Sequence, residues 1–218
     1  MKLFVLEMIN NFKDILVLAP HTDDGELGLG GTISRFIAEG KKVTYVAFST
    51  AEASVPPGFP RDILKTEVRN STTVLGVAQE NLIVHNYQVR KLNYARQEIL
   101  EDLIKLKKAN SFDLVFMPSL HDIHQDHTTI AQEGLRAFKN ITILGYELIW
   151  NNLQFNTQCF VKLEKKHVEN KIRALKEYHS QGKRDYLSED FIFSLARSRG
   201  VQAGCEYAEA FEVVRLFI

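Results

Sequence analysis

The sequence predicts an α/β protein built around a mostly parallel β-sheet. Apolar segments typical of strands alternate with amphipathic segments typical of helices from residue 15 to residue 146. The first apolar run, residues 15–19, is continuous, as in strands that are covered on both faces. This alternation favours parallel strands joined by right-handed crossovers. Because no repeat or linker divides the chain, we expect one Rossmann-like sandwich domain over residues 1–218.

Each strand of the predicted sheet is a short apolar run. In chain order the strands cover residues 15–19, 43–48, 82–84, 113–118, 141–146, 160–163 and 211–216. The loop after the second strand, residues 49–60, contains three prolines and a glycine. It is either the rim of a substrate site or an ordinary surface loop.

Six helices are predicted from apolar residues that recur on one face. They cover residues 27–39, 62–75, 96–107, 128–138, 166–178 and 191–199. The first presents Ile33, Phe36 and Ile37 on one side and ends before Gly40, a residue that commonly stops helices. The fifth is rich in lysine, which we interpret as an ordinary solvated face.

The composition suits a globular protein and gives no sign of a nucleic-acid partner. Of the 218 residues, 45% are hydrophobic, and 27 Lys and Arg residues balance 27 Asp and Glu residues. This balance gives no electrostatic reason to expect nucleic acid or an anionic membrane. Residues 1–10, interrupted by Glu7, are too few and too mixed for a signal peptide or a membrane span. Cys159 and Cys205 are far apart and favour reduced thiols, so we expect a cytoplasmic protein.

Two clusters of ionisable residues follow the first and fourth predicted strands. His21, Asp23 and Asp24 come directly after the first strand, and residues 121–127 contain three His and two Asp after the fourth. In the common doubly wound order these two strands are neighbours, and ligands bind outside their carboxyl ends. Unpaired charge is costly to bury. We therefore expect both clusters to face one crevice and to hold a metal ion.

These residue types suit a hydrolytic zinc site. Such sites take three protein ligands from His and carboxylate and leave a position open for water. His21, Asp24 and one His of the second cluster supply that set, and Asp23 is then free to take a proton from the bound water. A second His could stabilise the oxyanion or protonate the leaving group. In an alternative interpretation, Asp23 and Asp24 only cap a helix, as Asp126 could for the next one.

Three segments resemble the LmbE-like or PIG-L-type zinc N-deacetylases. Residues 20–28 (Pro-His-Thr-Asp-Asp-Gly-Glu-Leu-Gly), followed by Gly30-Gly31-Thr32, resemble the first signature of that family. Residues 124–127 (His-Gln-Asp-His), with Ala131, resemble its H-x-D-H motif, and residues 204–211 resemble its C-terminal segment. The segments occur in the expected order and span most of the chain.

The resemblance implies a zinc-dependent N-deacetylase that removes an acetyl group from an N-acetylglucosamine-type amino sugar or conjugate. The positions that match the zinc ligands are His21, Asp24 and His127. Asp23 matches the general base for the zinc-bound water, and His124 matches the residue that assists the tetrahedral intermediate and the departing amine. Asp126 matches a carboxylate that orients His124. The family uses Zn²⁺, with Fe²⁺ as a substitute in some members, and its members often form homo-oligomers.

The chain departs from the family pattern where substrate is contacted. Glu26 stands one place later than the acidic residue of many members. It is either a support behind the site or, like Arg61, a substrate contact. Leu64 replaces an arginine, whose role Arg61 or Lys65 could take over. Asp122 replaces a tyrosine that some members use.

Two other functions are kept as alternatives. A nucleotide-binding Rossmann module would explain the glycines at positions 28, 30 and 31, but their spacing is not G-x-G-x-x-G and two carboxylates precede them. Another metal-dependent hydrolase, such as a phosphoesterase, would often use two metal ions, whereas we can assemble ligands for one.

Overall fold

The computed structural model describes residues 12–182 and 184–217, in which seven strands form one sheet. The strands are β1 (Asp14–His21), β2 (Lys42–Ser49), β3 (Leu82–Val84), β4 (Leu114–Pro118), β5 (Thr142–Tyr146), β6 (Cys159–Leu163) and β7 (Tyr207–Arg215). Residues 1–10, which we interpreted as neither signal nor membrane span, lie outside the described part.

The sheet confirms the predicted mostly parallel α/β fold. Its order is β3-β2-β1-β4-β5-β7-β6. The first five strands in that order are parallel, and β7 runs antiparallel to both β5 and β6. Strands β1 and β4 are neighbours, so the carboxyl ends that carry the two polar clusters lie side by side.

Six α-helices within the described residues accompany the sheet: α1 (Asp24–Ala38), α2 (Ile63–Leu75), α3 (Arg96–Ala109), α4 (Gln125–Ala137), α5 (Lys165–Leu175) and α6 (Glu189–Ala203). Both helices that follow the polar clusters start three residues earlier than predicted. The reason is that the first turns of α1 and α4 contain the polar residues themselves, which break the apolar period used to place the helix starts.

Both faces of β1 are covered, as its continuous apolar run predicts. Ile15 and Val17 belong to the larger of two hydrophobic clusters, and Leu16 and Leu18 belong to the other. Side chains that alternate along a strand therefore all meet apolar neighbours. None of the described helices is long and apolar enough to cross a membrane.

Helix α1 contains a break that the sequence pattern does not predict. Leu29 has φ −149° and ψ 26°, which interrupts the helical backbone. The N–H groups of Gly31 and Thr32 then donate to the Glu209 carboxylate of β7, at 3.1 and 2.6 Å, and Lys171 Nζ of α5 pairs with the same carboxylate at 2.7 Å. A buried ion pair thus caps a helix start within α1.

The glycines of α1 allow close packing, as we expected. A Cβ on Gly28 would overlap the ring of Tyr146 in β5. This contact gives Gly28 a packing role. The glycine is therefore no longer evidence for a nucleotide-binding module.

Candidate metal centre

Three predicted ligand atoms lie close together where β1 and β4 end. His21 Nδ1 is 3.1 Å from Asp24 Oδ2, His127 Nε2 is 3.2 Å from the same oxygen, and the two ring nitrogens are 3.3 Å apart. Donors on a tetrahedral zinc ion, with bonds of about 2.0–2.2 Å, lie roughly 3.3–3.6 Å from one another. The triangle therefore fits one ion of this size.

A third histidine stands beside this triangle. Ligand atoms of His21, His124 and His127 lie within 4.8 Å of one another, so this group could bind a metal ion. The rings of His124 and His127 stack with centroids 4.4 Å apart. His124 is therefore close enough to act on a group bound at the centre, as its predicted role requires.

A carboxylate lies behind each of the two predicted histidine ligands. Asp126 Oδ2 is 2.9 Å from His21 Nε2, and Asp122 Oδ2 is 2.8 Å from His127 Nδ1. Such contacts fix the tautomer and the orientation of the ring. His21 thus presents Nδ1 to the centre, and His127 presents Nε2. The sequence reasoning missed Asp122 because only the family resemblance was considered at that position.

The expected partner of Asp126 was wrong. Its carboxylate bonds to His21 and accepts from the N–H groups of Arg90 and Leu92, at 2.6 and 3.2 Å, and does not bond to His124. Asp126 is not the N-cap of α4 either. That cap is His124, whose Nδ1 accepts from the Asp126 N–H at 3.2 Å. In the neutral ring of His124 this contact leaves the proton on Nε2.

The centre attracts positive charge. Burial alone would lower the pKa of both histidine ligands, but the Asp24 carboxylate outweighs it, together with hydrogen bonds to Asp126 and Asp122. The pKa of His21 rises to about 9 and that of His127 to about 10. Despite its burial, the pKa of Asp24 is lowered by the two histidines. A divalent cation would balance the Asp24 carboxylate in place of the protons on His21 and His127.

Asp23 is beside the centre and does not act as a helix cap. It occupies the N-cap position of α1, but its side chain makes no capping hydrogen bond. The half-buried carboxylate lines the cavity described below. Burial and the neighbouring Asp24 raise its pKa to about 6, against the opposing effects of His21 and Arg184. The alternative interpretation of Asp23 as a simple cap is therefore not supported.

Glu26 does not line the cavity, so of its two expected roles the substrate contact was wrong and the support behind the site is favoured. Its carboxylate is fully buried and accepts hydrogen bonds from the hydroxyls of Tyr45, Ser71 and Tyr178. Burial raises its pKa to about 7, although these bonds oppose the shift. The two tyrosine hydroxyls are also within 3.0 and 2.6 Å of the Thr22 carbonyl oxygen. Glu26 therefore supports the turn between His21 and Asp23 from inside the protein.

A cavity of about 400 Å³ opens over the metal centre. Asp23, His124 and the histidine ligands line it, together with residues that we had not predicted: Arg90, Trp150, Asn151, Gln181, Arg184 and Tyr186. Trp150, the single tryptophan of the chain, follows the carboxyl end of β5. Because ligands bind outside the carboxyl ends of such strands, this position could have indicated it. Arg90 and Arg184 belong to no periodic pattern or motif, so the sequence did not indicate them as lining residues.

Arg61 lies outside this cavity. It lines an adjoining one of about 660 Å³ with Phe59 and Asn86. The two cavities share Val89. Residues 50–57 border both, which favours the interpretation of this loop as a substrate rim.

The fold and the site together define an α/β protein with a candidate metal centre, lined by His and carboxylate groups, at the carboxyl ends of two parallel strands. Residues 16–138 match the family model described as PIG-L, GlcNAc-PI de-N-acetylase. The chain belongs to this family. The match covers both polar clusters and confirms the resemblance seen in the motifs.

Three relatives resemble the chain over most of its length. The uncharacterized deacetylase YaiS of Escherichia coli K12 is 29% identical over 183 residues, which are 81% of this chain and 96% of YaiS. The diacetylchitobiose deacetylase of Thermococcus kodakarensis is 24% identical over 95% of this chain and 85% of its own. The structure of N,N'-diacetylchitobiose deacetylase from Pyrococcus horikoshii superposes with a TM-score of 0.79 at 24% identity, over 96% of this chain and 88% of that one. This last likeness shows the fold.

Proposed function

We propose that the protein is a zinc-dependent N-deacetylase that removes the acetyl group from an N-acetylated amino sugar or sugar conjugate. The observation that carries the proposal is the triangle of His21, Asp24 and His127. The carboxylate of Asp23, which makes no capping hydrogen bond, lies beside it. Membership of the PIG-L family and the deacetylase names of its relatives support it.

The metal ligands would be His21, Asp24 and His127, each held by a neighbour. Asp126 and Asp122 orient the two rings, and the His21 N–H donates to Asp24 Oδ2 at 2.8 Å. A zinc ion held there would supply Lewis-acid chemistry, which polarises a carbonyl and makes water more acidic. Fe²⁺ remains an alternative because His and carboxylate suit both ions.

Asp23 and His124 would handle the protons. Water adds to the acetyl carbonyl carbon while Asp23 accepts its proton, and the C–N bond then breaks as the amine takes up a proton. The His124 ring, with Nδ1 occupied by a backbone N–H, directs an Nε2–H donor to the oxyanion that develops on the carbonyl oxygen. The products are acetate and a free amino sugar.

Two measurements test this function together. Metal analysis is expected to give close to one zinc per chain, and amine release is expected from a panel of free, nucleotide-linked and lipid-linked N-acetyl sugars. Asp23→Asn should lower kcat about 10²–10⁴-fold and leave metal content unchanged, whereas Asp190→Asn, at an exposed position in α6, should keep full activity. Full activity of Asp23→Asn would refute the mechanism. Two metals per chain with phosphate release would favour a phosphoesterase.

The domain organisation, the cellular location and the assembly of the protein are proposed from the sequence. Residues 1–218 form one domain, since no linker divides the sequence. The protein works in the cytoplasm, as the two isolated cysteines suggest. A homo-oligomer is proposed from the family resemblance.

A further inference from the structure

Gln181 is a buried polar residue that lines the cavity over the metal centre. It ends a short 3₁₀ helix (His179–Gln181) and is 5% exposed. Its Nε2 donates to Ser180 Oγ at 3.1 Å. Within residues 12–182 and 184–217, no group donates to its side-chain oxygen Oε1. Because buried polar atoms are normally hydrogen-bonded, this oxygen is available to a donor from a ligand.

The orientation of the Gln181 amide follows from the hydrogen bonds next to it. The N–H and O–H of Ser180 donate to the Glu67 carboxylate, at 2.9 and 2.6 Å. A hydroxyl has a single proton, so the Ser180 oxygen can only accept from Gln181. The NH₂ group therefore faces Ser180, and Oε1 lies on the other side of the amide.

The free oxygen of Gln181 is open to the cavity. Among the described residues, the buried side-chain atoms without a partner are Thr32 Oγ1 and Asn152 Nδ2. Gln181 Oε1 is not one of them although it has no partner, so it is accessible from outside the protein. The cavity that Gln181 lines also contains Asp23 and His124, the two residues that would handle the protons. Oε1 therefore faces the space in which a substrate would lie.

Buried contacts fix Gln181 relative to the turn that carries the predicted ligands. The Gln181 N–H donates to the Tyr178 carbonyl at 2.9 Å, and the Tyr178 hydroxyl lies 2.6 Å from the carbonyl oxygen of Thr22. Thr22 stands between His21 and Asp23 in the sequence. An acceptor held in this way binds a ligand with a smaller loss of conformational entropy than a mobile side chain does.

We propose that Gln181 is a specificity-determining residue whose Oε1 accepts a hydrogen bond from a ring hydroxyl of the sugar while the N-acetyl group lies at the metal centre. This step rests on the proposed function, because it takes an N-acetyl sugar as the ligand. An amide oxygen only accepts, so it selects a donor such as a hydroxyl. A site that binds a hydroxyl rejects the analogue without it, because the buried acceptor is then left unpaired.

The experiment combines deoxy sugars with one substitution in the zinc-loaded protein. We measure kcat/KM for N-acetylglucosamine and for its 3-deoxy, 4-deoxy and 6-deoxy analogues. In the parent, one deoxy sugar is expected to lose about ten-fold or more. In Gln181→Met, which keeps the side-chain length without the amide, the loss for that sugar should shrink to about two-fold or less. Gln97→Met, at an exposed position in α3, should behave like the parent.

Two results would overturn the hydroxyl contact and leave the deacetylase function standing. The first is that every deoxy sugar loses the same factor in the parent and in Gln181→Met. The second is that Gln181→Met lowers kcat/KM equally for all four sugars, which would assign the contact to the amide N–H that they share. The substitution leaves the Ser180 hydroxyl bonded to Glu67, so no buried donor loses its acceptor.

A second variant tests how the amide is oriented. Ser180→Ala keeps Gln181 but removes the oxygen that accepts from its Nε2. We expect a smaller loss for the same deoxy sugar than in the parent, since the amide can then rotate, whereas Ser198→Ala, at an exposed position in α6, should not change it. An unchanged loss in Ser180→Ala would refute the orienting role of Ser180. Unfolding midpoints and zinc content identify any variant that fails to fold.

A binding measurement separates this proposal from the proposed function. If the protein releases no amine from any N-acetyl sugar, calorimetric titration with N-acetylglucosamine and its deoxy analogues measures the contact without turnover. A loss of affinity for one deoxy sugar that Gln181→Met removes would then support the hydroxyl contact, although the deacetylase function has failed. The same affinities in both proteins, including no binding by either, would refute the hydroxyl contact.

Discussion

Replacing Asp122 with asparagine is expected to weaken zinc binding about 10–100-fold without changing a ligand. Asp122 is buried, and both of its carboxylate oxygens accept hydrogen bonds. Oδ2 is 2.8 Å from His127 Nδ1, and Oδ1 accepts from the His124 N–H at 2.8 Å. The residue therefore sets the proton position of one histidine and the backbone position of the other.

Asparagine can satisfy only one of these two donors. If its oxygen faces His124, its NH₂ group faces His127 Nδ1, and the ring must then carry its proton on Nε2, the nitrogen that points to the metal. If its oxygen faces His127, the His124 N–H loses its acceptor. Either arrangement costs about 1–3 kcal/mol, the usual penalty for an unsatisfied buried group. A loss of about 1.4–2.8 kcal/mol corresponds to a 10–100-fold change in Kd.

Zinc affinity is measured by competition with a chromophoric chelator, using Asp190→Asn as the matched control. The unfolding midpoint of the metal-free protein shows whether Asp122→Asn still folds. A zinc Kd for Asp122→Asn within two-fold of the parent, in a folded protein, would refute the role of Asp122 in orienting His127. A weaker Kd with an unchanged value for Asp190→Asn would support it.

Two further substitutions test the packing that supports the centre, and both are read from urea unfolding. Gly28→Ala should destabilise the protein by about 1–3 kcal/mol, because the added methyl overlaps a ring of β5, whereas Gly182→Ala meets nothing closer than 3.6 Å; equal stabilities would contradict the packing argument. Lys171→Met leaves Glu209 buried without its cation and should cost about 3–5 kcal/mol. Lys165→Met, in an exposed pair on the same helix, should cost less than about 1 kcal/mol, and a similar cost for both would contradict the role of burial.

The placement of the candidate metal centre could be predicted because it depends on strand order. A continuous apolar run at residues 15–19 indicates a strand covered on both faces, and polar residues at the ends of β1 and β4 must meet if those strands are neighbours. Both conditions are met. The order and spacing of the motifs at residues 20–28 and 124–127 are specific, so they also indicate the PIG-L family.

The partners of these residues could not be predicted because they depend on tertiary contacts. Asp126 bonds to His21 although it is two residues from His124 in sequence, since the start of α4 directs its side chain towards β1. Glu26 faces inward because α1 begins at Asp24, which turns its third residue towards Tyr45. Neither direction can be read from residue type or from periodicity.

The capping of the broken helix α1 by Glu209 has a consequence for synthesis on the ribosome. Of the seven described strands β7 is made last, yet it inserts between β5 and β6, and its Glu209 supplies the acceptor for the N–H groups of Gly31 and Thr32. A nascent chain that lacks β7 already contains every predicted metal ligand, but the part of α1 that follows the break at Leu29 still lacks its acceptor. This part of α1 therefore gains its cap only after β7 has left the exit tunnel.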